Sequence, residues 1–173
     1  MTGETITIFG TGRAKPGDAA YTLAYETGKV LAQAGFVIAN GGYGGTMLAA
    51  ARGAAEAGGH VIGVTCSAFG GTANEYTTRE VVTHSLDERL DTLIKLGQAY
   101  VVMPGGTGTL LELAKVWELK NKGFLEKDRP IILVGGFWKP LIKLVEIDDP
   151  GSSCHIRQVD EPEQIKGILA GCI

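Results

Sequence analysis

The residues best placed to do chemistry stand together in Met103-Pro104-Gly105-Gly106-Thr107-Gly108-Thr109-Leu110-Leu111-Glu112. The run from Gln98 to Met103 reads as a buried strand, and a helical pattern opens near Thr107 or Thr109. Strand, glycine loop and helix in that order make an anion site. The first helix amides lack intrahelical partners, the helix dipole adds partial positive charge, and glycines let a phosphate reach the backbone. A phosphorylated ligand is expected, with the Glu112 carboxylate close beyond it. Two roles are open to Glu112. Thr109-Leu110-Leu111-Glu112 has the spacing of a capping box, in which the glutamate bonds back to the Thr109 amide. Alternatively it faces the ligand. At about 100° per residue, Leu110, Leu113, Ala114 and Trp117 form the stripe expected on the sheet, and Glu112 lies opposite, beside Val116 and Leu119. That second apolar strip predicts a pocket wall or a subunit contact.

Two other glycine loops follow apolar runs. Gly10-Thr11-Gly12-Arg13-Ala14-Lys15 comes after Thr5 to Phe9, and Gly41-Gly42-Tyr43-Gly44-Gly45 after Phe36 to Ala39 and Asn40. The first lacks G-x-G-x-x-G spacing, and Asn40 stands where a dinucleotide site needs a carboxylate for the ribose, which argues against NAD. No glycine loop ends in lysine followed by serine or threonine, which argues against a P-loop. Arg13 and Lys15 either supply positive charge to a ligand or are ordinary loop residues. Tyr43 and Trp138 stack on a base or complete the core. Arg89 sits among Asp87, Glu88 and Asp91, a composition that by itself fits an exposed helix with weak local ion pairs.

These loops need elements to hold them. Five apolar strands alternate with helical segments at Asp18 to Ala34, Thr46 to Ala57, Ser85 to Leu96, the stretch after Thr107, and from about Pro140, with Glu161 to Leu169 closing the chain. Arg79 to His84 reads as an edge strand, and Ser85 with Glu88 as a capping box. Nearly continuous apolar strands between helices predict a doubly wound α/β fold, a Rossmann-like parallel sheet with helices on both faces, formed as one domain over residues 1–173. Ligands in such sheets sit beyond the carboxyl ends of the strands, where strand order reverses. The loops after Phe9, Ala39, Met103 and Val134 are the candidates.

The motif Pro104-Gly105-Gly106-x-Gly108-Thr109-x-x-Glu112 resembles the signature of the LONELY GUY (LOG) family, formerly labelled lysine decarboxylase-like. The resemblance extends to the first loop, the Gly41 to Gly45 loop, Arg89 and the turn Gly136-Phe137-Trp138. It implies a phosphoribohydrolase that cleaves the N-glycosidic bond of a nucleoside 5′-monophosphate, a cytokinin riboside monophosphate or AMP-like molecule. Glu112 and Arg89 match the residues the family ties to catalysis. Gly105, Gly106, Thr107, Gly108 and Thr109 match those that hold phosphate, and Gly10, Thr11, Gly12, Gly42, Gly44 and Gly45 complete the expected nucleotide site. Where the family commonly has lysine after its arginine, this chain has Leu90. The chain also resembles molybdenum-cofactor carrier proteins, which implies a binding protein as the alternative. A decarboxylase using pyridoxal phosphate is disfavoured, because Lys95 and Lys115 lie on helices without a cofactor-binding context.

The remaining composition excludes more than it adds. A net charge of −3 leaves no footprint for nucleic acid. Cys66, Cys154 and Cys172 have no paired spacing, and His60, His84 and His155 form no ligand-spaced cluster, so no metal site is expected. No cofactor is expected either. No apolar run is long enough for a membrane span and no signal segment is evident, so a cytoplasmic protein is expected, with a small nucleotide as its ligand and a homodimer or larger homo-oligomer as its assembly.

Overall fold

The computed structural model describes residues 3–126 and 128–172. Seven strands form one parallel sheet: β1 (Thr5–Phe9), β2 (Val37–Asn40), β3 (Val61–Cys66), β4 (Arg79–Thr83), β5 (Ala99–Val102), β6 (Ile131–Val134) and β7 (Ile156–Val159). Six α-helices join them: α1 (Ala19–Gln33), α2 (Thr46–Glu56), α3 (Leu86–Leu96), α4 (Thr107–Asn121), α5 (Lys139–Asp148) and α6 (Glu163–Leu169). The spatial order is β4-β3-β2-β1-β5-β6-β7. It reverses between β1 and β5, so the loops after those two strands diverge and leave a crevice at the carboxyl edge. The doubly wound expectation is met.

Alternation along the strands divides the core. Ile6, Ile8, Ile38, Val101 and Val134 pack under α1, α2 and α6, while Phe9, Ala39, Tyr100, Val102 and Leu133 pack under α3 and α4. Burial on both faces explains why the central strands read as continuous apolar runs. On the first face, α1 and α2 touch backbone to backbone. A Cβ on Gly28 would stand 2.0 Å from the Ala50 carbonyl oxygen, and one on Gly53 would stand 2.0 Å from that of Tyr25. Glycine at these positions trades helix propensity for close approach.

The sequence pattern misses β7, a polar-looking run, Ile-Arg-Gln-Val, whose Arg157 and Gln158 are exposed. As the edge strand beside β6 it needs only one backbone partner and little apolar surface. The helix expected from about Pro140 is α5, Lys139–Asp148, and Ser152–His155 forms a 3-10 turn leading into β7. Among the described residues no helix is long and apolar enough to cross a membrane.

Candidate active site

The helix α4 begins at Thr107, with Gly106 as its N-cap. No side chain caps this end, and the first backbone bond from it runs from Leu110 to the Gly106 carbonyl, 2.9 Å. The amides of Thr107, Gly108 and Thr109 therefore have no acceptor among the described residues and face the crevice. Gly105 makes this start possible from behind, because a Cβ there would come 2.2 Å from the Thr109 hydroxyl oxygen. Since the cap is Gly106, Thr109 already lies inside the helix, and of the two roles open to Glu112 the capping box does not form.

The face of α4 is also turned from the expected one. Thr109, Glu112, Leu113, Val116, Trp117 and Lys120 are buried, whereas Ala114 is exposed and Leu110 only half-buried. Val116 has no exposed surface and belongs to the core beneath α3 and α4. The Val116–Leu119 strip is thus core packing rather than a subunit contact. Glu112 shares the inward face at the end where the sheet stops and the crevice begins.

Arg89 meets it there. The capping box of α3 forms in modified register: the Ser85 hydroxyl accepts from the Glu88 amide, and the Glu88 carboxylate accepts from the amide of His84. Asp91 pairs with Lys115 of α4 at 2.8 Å. With these acids engaged elsewhere, Arg89 turns inward and is only 7% exposed. Its Nε donates to the Val64 carbonyl, 2.8 Å. Its Nη1 stands 3.7 Å from Glu112 Oε1, and its guanidinium carbon lies 5.7 Å from the Tyr43 ring centroid and 5.9 Å from that of Phe69. Gly41 supplies the space, since a Cβ there would be 1.8 Å from Arg89 Nη2. Local ion pairs on an exposed helix do not describe this arginine. Leu90, its neighbour, is 2% exposed and packs inside the chain.

Burial pushes the Glu112 carboxyl up to about 7, against the opposing pull of the Arg89 charge. Desolvation wins because the ion pair is long and single-contact, so the arginine offsets only part of the lost hydration. A carboxyl group with this poise exchanges its proton near neutral pH, the condition for acid–base work.

The crevice has a volume of about 330 Å³. Gly10, Thr11, Gly12, Gly106, Thr107, Gly108, Thr109, Arg89 and Glu112 all line it, together with Arg13 and Tyr43. Gly42, Gly44, Gly45 and Gly105 do not. Gly42, at φ +77°, packs on Gly63 and Thr65, and Gly45 admits the first loop, since a Cβ there would stand 2.2 Å from the Thr11 carbonyl oxygen. Trp138 also lies elsewhere, buried with its indole Nε1 donating to the Met103 carbonyl at 3.0 Å. Two lining residues, Met47 and Phe69, escape the sequence reading. The signal for Phe69 is its position as the one aromatic residue in a run of small residues after a buried strand.

A parallel sheet with a glycine-built helix start at its switch point, and an acid–arginine pair facing it, defines a Rossmann-like protein of the LOG type. The chain belongs to the SLOG cluster4 family, whose model matches residues 4–164. It is similar to the cytokinin riboside 5′-monophosphate phosphoribohydrolase of Rhodococcoides fascians, at 27% identity over 149 residues, covering 84% of this chain and 75% of that protein. It is also similar to cytokinin riboside 5′-monophosphate phosphoribohydrolase LOG of Oryza sativa subsp. japonica, at 30% identity over 142 residues, covering 79% of this chain and 58% of the rice protein. Among solved structures it resembles the molybdenum cofactor binding protein of the phototrophic bacterium Rippkaea orientalis, with a TM-score of 0.81 and 23% identity, covering 99% of this chain and 98% of that one.

Proposed function

We propose that the chain is a phosphoribohydrolase that splits a nucleoside 5′-monophosphate, AMP-like or a cytokinin riboside monophosphate, into free base and ribose 5-phosphate. The observation that carries this reading is the buried Glu112, poised near neutrality and facing Arg89, on the same helix whose first amides are open. The 5′-phosphate docks on the amides of Thr107, Gly108 and Thr109, and this anchor positions the sugar. Cleavage of the C1′–N bond builds positive charge on the ribose ring, as in glycoside hydrolysis. Ionised Glu112 stabilises that charge and takes the proton of the attacking water, while the bonding electrons leave with the base, which is protonated on release. Arg89 orients the carboxylate and keeps part of it ionised. Relatives near 30% identity that carry this activity in their names support the reading.

Purified protein incubated with AMP and with isopentenyladenosine monophosphate should release free base, measured by chromatography. Glu112→Ala should reduce the rate by about 10²–10⁴-fold. The alternative is a carrier that binds a phosphorylated ligand, such as a molybdenum cofactor, without cleaving it. Its support is the fold shared, over nearly the whole of both chains, with a molybdenum cofactor binding protein. Tight binding of AMP with no base released would favour it.

We also propose self-association through α5. This helix contributes no buried residue, and Leu144 and Ile147 are 64% and 79% exposed. Between it and α4, Leu110, Ala114, Trp117, Leu141 and Val145 line an apolar groove. A two-fold dimer is the simplest closed assembly that would cover this face.

A further inference from the structure

One large apolar side chain in the crevice has no role in anchoring phosphate or breaking a bond. Phe69 is 54% exposed and lines the same wall as Tyr43. Single exposed apolar residues are common on protein surfaces and ordinarily need no explanation. Phe69 differs because its surroundings are built to hold it out.

It ends a short 3-10 turn, Ser67–Phe69, and is followed by Gly70 and Gly71 at φ +72° and +81°, conformations that glycine adopts without strain. Those two residues bend the chain away immediately after the ring. Both ends of the segment are pinned to the loop carrying Tyr43. The Tyr43 hydroxyl accepts from the Cys66 amide at 2.8 Å and donates to the Cys66 carbonyl at 3.1 Å. The Asn74 amide donates to the Gly42 carbonyl at 2.7 Å, and its side-chain amide donates to the carbonyls of Gly42 and Tyr43, each at 3.0 Å. Glu80 holds Ala73 at 3.1 Å and the Thr65 hydroxyl at 2.7 Å. The exposed ring therefore stands on a braced support rather than on a free loop.

The order of groups across the crevice gives the ring its use. Open amides begin α4, Glu112 lies further along that helix, Arg89 Nη1 is 3.7 Å from Glu112, and the Tyr43 and Phe69 rings both lie within 6 Å of the Arg89 guanidinium carbon, at 5.7 and 5.9 Å. A ligand anchored by phosphate, with its sugar at Glu112, carries its next group to Arg89 and the two rings. Aromatic faces beside a guanidinium favour a flat heteroaromatic ring, which gains stacking from one and cation–π attraction from the other.

We infer that Phe69 is the specificity-determining platform on which the base of the phosphorylated ligand stacks, with Tyr43 bracing it. The inference rests on the nucleotide reading of this crevice but not on bond cleavage, since a carrier would hold a flat ring in the same way.

Titration calorimetry tests it, with AMP and with ribose 5-phosphate, in a Glu112→Gln background that blocks turnover. Adding Phe69→Ala should loosen AMP about 5- to 150-fold, corresponding to about 1–3 kcal/mol for one stacked base, and leave ribose 5-phosphate within about twofold. Phe69→Trp should retain AMP binding. Equal AMP affinity with and without Phe69→Ala would overturn the platform, as would equal loss of both ligands or a parent protein that binds AMP no more tightly than ribose 5-phosphate. Hydrolysis by the protein with native Glu112 is scored separately. Failure there, with Phe69-dependent AMP binding intact, removes the phosphoribohydrolase reading and leaves the platform standing.

Discussion

Glu112 is a group whose protonation state and position oppose each other. Folding takes it out of water and raises its affinity for a proton, so the protonated form is the comfortable one in the folded chain. The proposed chemistry needs the ionised form. The value of kcat/KM should accordingly rise with pH and level off above about 7, and a pH–rate profile checks this. Stability should move the other way. Because the folded-state value lies above the ordinary 4.5, the contribution of Glu112 is most favourable below that value and is lost as pH rises towards about 7. Glu112→Gln should then be more stable than the parent by about 3 kcal/mol at pH 8 and nearly equal to it at pH 4, by denaturant titration at both values. Sequence alone shows the acid and the glycines but not this conflict. The Thr109–Glu112 spacing mimics a cap, and only the position of Gly106 as the N-cap shows that the helix has already begun. Arg89 is less legible still, because two of the acids that make it look solvated, Glu88 and Asp91, are engaged with the His84 amide and with Lys115.

At the scale of elements, the crevice depends on backbones that come close because side chains are missing. Gly41 is the sharpest case for function. Gly41→Ala should drive Arg89 from its place, lowering kcat/KM at least tenfold while circular dichroism shows the fold retained. Gly53→Ala addresses the opposite face. Helix propensity alone predicts a gain of up to about 1 kcal/mol, but the clash with the Tyr25 carbonyl should outweigh it. The expected net loss is about 2 kcal/mol, seen as a fall in Tm of roughly 4–8 °C. Most elements are readable from sequence because the central strands are buried on both faces and the helices carry strong patterns. The exception is β7, at one edge of the sheet, where partial burial weakens the apolar signal. The face of α4 misleads because Leu110 and Ala114 look like core residues while Glu112 and Lys120 do not.

For the whole molecule, the reversal of strand order between β1 and β5 selects which glycine loops share the crevice. The loops after β1 and β5 meet there, with Tyr43 arriving from the loop after β2, while the turn after β6 closes core instead. The positions of the glycine loops follow from the strand–helix alternation, but their pairing needs the spatial order. The apolar α5 face belongs to the same scale. Light scattering at micromolar concentration should give at least twice the mass of one chain, and Leu144→Glu with Ile147→Glu should shift it to a single chain without changing secondary structure. A parent protein that is already monomeric would sink the proposed assembly.

The bond between Trp138 Nε1 and the Met103 carbonyl has an optical consequence. It fastens an indole to the peptide directly preceding Pro104, at the root of the ligand loop, while the other tryptophan, Trp117, is bonded to the carbonyl of Ser152 away from the crevice. A ligand that tightens the loop alters the surroundings of one emitter and spares the other. The protein thus carries its own probe: AMP or ribose 5-phosphate should change the tryptophan fluorescence on binding, and Trp138→Phe should silence the response while Trp117 continues to emit.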